Sequence, residues 1–126
     1  MIAHAGVLTR DYKKAKKFYA TVLKTLGYKM TQDYPKYKAA GFKQGGNTDF
    51  WLLEQKKFAP THLAFLAKSK RSVQAFYKAA LAAGGKDNGA PGFRTHYSPD
   101  YYAAFVYDQD GNNVEACYFG EKAPKA

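Results

Sequence analysis

Apolar residues recur along this chain in two rhythms, and each rhythm occurs twice. Tyr12, Ala15, Tyr19, Val22 and Leu26 return every three or four residues with lysines between them, and Val73, Phe76, Tyr77, Ala80 and Leu81 do the same further on. That period marks one face of a helix. Asp11 precedes the first helix and Ser69 or Ser72 the second, as side chains that can cap exposed N–H groups; Gly27 and Gly84-Gly85 stop them. The other rhythm is short apolar runs bounded by turn residues, which read as strands. They are Ile2 to Leu8, Tyr28 to Asp33, Tyr37 to Phe42 and Asp49 to Glu54 in the first half. In the second half they are His62 to Ala67, a segment from Lys86 that becomes a loop through Pro91, Phe93 to Tyr97, Tyr102 to Asp108 and Asn113 to Phe119. The tail Glu121–Ala126 is expected to fray.

The two halves are copies of one unit. A displacement of 58 positions carries His4 onto His62, Phe18-Tyr19 onto Phe76-Tyr77, Leu23 onto Leu81 and Gly27 onto Gly85. A displacement of 64 carries Ala39-Ala40 onto Ala103-Ala104 and sets the turn Gly45-Gly46-Asn47 beside Asp110-Gly111-Asn112. In that register Trp51 falls on Glu115. The six extra residues of the second copy lie within Asp87–Asp100, a segment rich in Gly, Pro, Asn and Ser. The order is therefore βαβββ twice, an α+β chain whose internal repeat dictates its architecture.

Composition narrows what such a chain can be. With 126 residues, 46% of them hydrophobic, it can form one domain or two half-domains sharing a core. No run of about 18 apolar residues is present to span a membrane. No secretory signal is visible at the start, and Cys117 alone cannot form an intrachain disulfide, so a cytoplasmic setting is expected. The formal net charge of +10 invites a nucleic-acid reading. Its lysines are instead spread over the polar sides of both helices, which favours a solvated surface that attracts anions.

Two histidines from equivalent first strands and one carboxylate from a last strand form the constellation that could carry chemistry: His4, His62 and Glu115. Imidazole nitrogen and carboxylate oxygen suit a divalent first-row metal such as Zn, Mn, Ni or Fe, and three protein ligands leave positions open to substrate. No short motif links the three. What joins them is that both histidines, and the slot of the carboxylate, are equivalent positions of the repeat.

The pattern H-x6-D-x6-FY-x7-G from His4 to Gly27, the THLAF strand, the VxxFYxxxLxxGG helix and the segment YYAAFVYDQDGNNVEA from Tyr101 to Ala116 resemble the glyoxalase/bleomycin-resistance/extradiol-dioxygenase superfamily, the vicinal oxygen chelate fold. The resemblance covers nearly the whole chain. It implies a single domain over residues 1–126: module one at 1–55, a linker at 56–60, module two at 61–120 and the tail at 121–126. It implies curved mixed sheets forming a cleft with the helices outside, and a cleft often completed by a second module, here through a homodimer. His4, His62 and Glu115 match three metal-ligand positions of the family, and Trp51 stands at the fourth, where it cannot ligate. That departure argues against glyoxalase I itself. The segment after Glu115 lacks the basic residue of the family's thiol transferases.

The resemblance further implies that Arg94, His96, Tyr97 and Tyr102 face the cleft, with Arg94 and Tyr97 holding an anionic or carbonyl-bearing ligand and Tyr102 or a water moving a proton beside Glu115. Trp51 reads as a cleft wall stacking on substrate, or as core. Two functions follow. One is a metal-dependent enzyme acting on a small substrate through two of its oxygens. The other is a metal-free protein that sequesters a small molecule, as bleomycin-binding relatives do.

Overall fold

The computed structural model describes residues 1–125. In chain order the elements are β1 (Ala5–Thr9), α1 (Tyr12–Lys24), β2 (Lys29–Tyr34), β3 (Ala39–Lys43), β4 (Phe50–Glu54), β5 (His62–Leu66), α2 (Lys70–Ala82), β6 (Lys86–Phe93), β7 (Tyr102–Tyr107) and β8 (Asn113–Tyr118). Each half folds as βαβββ, as the repeat requires.

Both helices begin where the caps were expected. The Asp11 carboxylate accepts from Lys14 N at 3.1 Å and the Ser69 hydroxyl from Ser72 N at 3.0 Å. Tyr12, Ala15, Phe18, Tyr19, Val22 and Leu23 form the buried stripe of α1, and Val73, Phe76 and Ala80 that of α2. Gly27 turns the chain after α1 at φ +84°, a conformation that disfavours any residue with a Cβ.

The strands form two four-stranded mixed sheets, ordered β1-β4-β3-β2 and β5-β8-β7-β6. In each, the first strand runs parallel to the last strand of its module and the other pairings are antiparallel. One face of each sheet lies under the helices. Phe42, Phe50 and Leu52 of the first sheet and Phe65, Ala104, Val106 and Val114 of the second point into one continuous core. Phe50 and Phe65 join the two halves edge to face, with ring centroids 5.0 Å apart. The buried Asp108 joins them again by accepting the Tyr19 hydroxyl at 2.6 Å. Because side chains alternate along a strand, the residues between these face the other way, onto the open face of each sheet.

Two expectations fail in the inserted segment. The stretch through Pro91 is strand, not loop, because β6 is an edge strand paired only with β7, where a missing proline N–H costs no ladder bond. Two register shifts around Gly89 absorb its irregularity. Conversely, Phe93 to Tyr97 is not a strand. The chain leaves the sheet after Phe93 and loops through residues 94–101, closed by Arg94 N donating to Tyr101 O at 2.7 Å. The tail is also tied down: Glu121 pairs with Lys70 at 2.6 Å and Ala123 N donates to Pro99 O at 2.8 Å. Ala126 lies outside the described residues.

Candidate functional site

On the open face of the second sheet, register alone brings His62 and Glu115 together. Glu115 of β8 sits between Ala64 of β5 and Phe105 of β7, and His62 is two residues from Ala64 on the same face. The imidazole Nε2 lies 3.0 Å from Glu115 Oε1; the histidine side chain is 50% exposed and the carboxylate 2%. The His62 ring also stacks on Phe105, with centroids 6.3 Å apart.

The other ring nitrogen decides what that contact means. His62 Nδ1 lies 2.9 Å from the backbone oxygen of Asn113. A carbonyl oxygen only accepts, so Nδ1 carries the hydrogen and Nε2 is left to face the carboxylate. A bare nitrogen lone pair 3.0 Å from a carboxylate oxygen would be repulsive. Either a proton held between Nε2 and Oε1, on whichever atom carries it, or a cation shared by the two resolves it. The donor set, one imidazole nitrogen fixed by a carbonyl and one buried carboxylate, suits a divalent cation.

The second oxygen of Glu115 is occupied. Tyr101, at the end of the 94–101 loop, donates its hydroxyl hydrogen to Oε2. Burial, followed by this bond, pushes the Tyr101 phenol well above its ordinary range, so it stays protonated and able to donate. The sequence reading chose Tyr102, and the structure corrects it. Tyr102 is buried on the helix side, its hydroxyl accepting from Gln74 Nε2 of α2 at 2.9 Å and its ring against Phe93. The signal was available: with Phe105 paired to Glu115, odd-numbered positions of this stretch share the carboxylate's face.

His4 is not with the other two. It precedes β1 and lines a separate cavity of about 220 Å³ at the seam between the modules, with Tyr28, Asp49 and Leu63–Leu66. Among the described residues no group of three or more His, Cys, Asp or Glu is gathered to hold a metal ion. Within one chain, then, the structure brings two of the three expected ligands together and sets His4 in a different cavity.

The position equivalent to Glu115 confirms how module one differs. Trp51 sits between Gly6 and Gly41 in the ladder, and a Cβ on Gly41 would come within 3.0 Å of the indole ring. The ring folds over that glycine and stacks on Tyr34, 9° from parallel. An aromatic floor replaces a carboxylate.

Arg94 and Tyr97 do lie beside the site, in a cavity of about 290 Å³ that also contains Asn88, Phe105 and Asn113. The Arg94 guanidinium sits over the Phe105 ring and donates to Ala90 O and Gly92 O, both at 2.8 Å. His96 lines the same cavity and packs on Tyr97 with ring centroids 4.2 Å apart. A larger opening of about 640 Å³ lies between the helices, among Lys14, Lys17, Phe18 and Ala82, and gathers no acid–base pair.

The family model of the Glyoxalase/Bleomycin resistance protein/Dioxygenase superfamily matches residues 1–116. The chain belongs to this superfamily. Its fold is similar to a glyoxalase/bleomycin resistance protein from Albidiferax ferrireducens T118, with a TM-score of 0.79 and 28% identity over 92% of this chain and 97% of the other. A lactoylglutathione lyase from Agrobacterium tumefaciens shares the fold at a TM-score of 0.70 and 20% identity, covering 94% of this chain and 92% of its own. A genomically encoded fosfomycin resistance protein from Listeria monocytogenes does so at 0.70 and 16%, with the same coverage. A search of curated proteins finds no match. Superfamily members typically use divalent metals and often act on small molecules. No helix among the described residues is long and apolar enough to cross a membrane.

Proposed function

We propose that this protein is a metal-dependent enzyme acting on a small molecule that presents two neighbouring oxygens. The observation that carries the reading is the convergence of His62 Nε2 and Glu115 Oε1 at 3.0 Å, with Nδ1 committed to a backbone carbonyl. His62 and Glu115 would hold the cation. When bound, a divalent cation supplies Lewis-acid stabilisation of negative charge developing on substrate oxygen, as an enolate or oxyanion. The chain's own groups orient the substrate: Arg94 retains N–H donors beyond the two given to carbonyls, and Tyr97 stands beside it at the same cavity. Both suit an anionic or carbonyl-bearing group.

The third ligand comes from His4 of a second copy. Three features support this reading. His4 is exposed and is not gathered with its own chain's pair. The open faces carry exposed Leu53, Leu66, Tyr34 and Tyr107, apolar side chains that a second copy would cover. Finally, a two-fold pairing of two-module chains would generate two equivalent sites.

The test is metal content after reconstitution with Zn, Mn, Ni or Fe, on protein free of any histidine tag. Near-stoichiometric metal that is lost in Glu115→Ala and in His62→Ala supports the enzyme. Absence of metal from the wild type overturns it and favours the second reading, a metal-free binding protein. The specific observation behind that alternative is the aromatic floor of Trp51 and Tyr34 where a ligand could have stood.

A further inference from the structure

Tyr101 reaches the site from a loop, outside the positions at which the repeat places its candidate ligands. Its ring is held between Tyr97, with centroids 5.1 Å apart, and Phe119, 4.9 Å apart, both edge to face. Its backbone is pinned on both sides, Tyr101 N donating to Ser98 O at 3.2 Å and Tyr101 O accepting from Arg94 N at 2.7 Å. The hydroxyl so placed meets Glu115 Oε2, an oxygen of a carboxylate only 2% exposed. Buried carboxylate oxygens need donors, and no other side chain among the described residues donates to this one.

We infer that Tyr101 is the positioning residue of the Glu115 ligand: by donating to Oε2 it holds the carboxylate so that Oε1, the oxygen beside His62 Nε2, is the one turned to a cation. The inference rests on the metal reading above. Its chemical consequence concerns room for substrate. A carboxylate that offers one oxygen takes one coordination position, whereas a free carboxylate can take two. Tyr101 thereby preserves a place for a substrate oxygen.

The repeat provides a built-in control. The displacement of 64 that carries Ala39-Ala40 onto Ala103-Ala104 also carries Tyr37 onto Tyr101. Module one has Trp51 where module two has Glu115, and Tyr37 is accordingly 72% exposed. Only where the carboxylate exists does the phenol have something to hold.

The experiment is a Co²⁺ titration of wild type, Tyr101→Phe, Tyr37→Phe and Phe119→Leu, read both as affinity and as the visible absorption spectrum of the bound ion. Tyr101→Phe keeps the ring and loses the hydroxyl. It is expected to weaken Co²⁺ binding by about 10- to 100-fold, the range seen when a ligand's supporting hydrogen bond is removed. The spectrum of the bound ion changes with it, since the carboxylate is free to offer both oxygens. Phe119→Leu loosens the ring's clamp but keeps the hydroxyl, so it gives a smaller loss and carries the test if Tyr101→Phe does not fold. Tyr37→Phe matches wild type. Unchanged affinity and spectrum in Tyr101→Phe, with wild type binding, overturn the inference alone. A wild type that takes up no Co²⁺, Zn²⁺ or Mn²⁺ overturns the metal reading, and the role of Tyr101 falls with it.

Discussion

Single residues set the differences between the two copies of the repeat. Gly41 is glycine because Trp51 lies over it: an added methyl would approach Thr48 Cγ2 to 2.8 Å and the indole to 3.0 Å. We expect Gly41→Ala to destabilise the fold by about 1–3 kcal/mol through overpacking, seen as a lowered thermal midpoint and an altered tryptophan emission. Buried phenols set the alkaline limit. Burial, with Asp49 adding to it, pushes Tyr28 up to about 12 from an ordinary 10.0, and burial with Asp108 raises Tyr19 as well. The folded state holds these protons more tightly than the unfolded chain does. The resulting stabilisation is complete below pH 10 and is lost as pH rises from 10 through about 12. Urea midpoints measured across that range should fall, and Tyr28→Phe should flatten the decline. At this scale the sequence was legible where the repeat spoke, in the pairing of His62 with Glu115. It was misread where two tyrosines stand side by side, because Tyr101 ends the loop on the carboxylate's side while Tyr102 begins β7 on the helix side.

The elements were legible almost throughout, and for reasons that are local. Asp11 and Ser69 cap the helices they were expected to cap. Asp11→Ala is expected to cost about 1 kcal/mol, measured as a lower urea midpoint with the site's metal uptake unchanged. The failures fall where long-range context outweighs local signals. Pro91 and Gly89 read as loop, yet an edge strand tolerates both. Phe93 to Tyr97 has strand composition, but the backbone of Arg94 and the carbonyls of Ala90 and Gly92 are satisfied by the loop instead. That loop is what delivers Tyr101 to Glu115, so the departure from a regular strand has a function in the site.

At the scale of the molecule, one core runs through both modules. Tyr19 reaches across to Asp108, and Phe50 packs on Phe65. The same packing leaves both open faces uncovered and does not gather His4 with His62 and Glu115, which no reading of spacing along the chain could have disclosed. Leu66, 67% exposed on the open face beside His62 and Ala64, is the residue whose change tests a covering copy. Leu66→Asp is expected to shift sedimentation from dimer to monomer while leaving the helical circular dichroism intact. The net charge of +10 remains a surface property of the lysine-rich helices, and it favours anionic small molecules at low salt.

The account as a whole stands on a metal held by His62 and Glu115 of one copy and His4 of another. Complementation tests it most directly. His4→Ala and Glu115→Ala would each be measured for bound metal alone, then after mixing, partial unfolding and reassembly. Each variant alone should bind none. In the mixture, half of the dimers are mixed and each of those has one intact site of two, so metal should return to about a quarter of the wild-type level. Metal retained by either variant alone, or no recovery from a mixture shown to exchange subunits, would contradict the account.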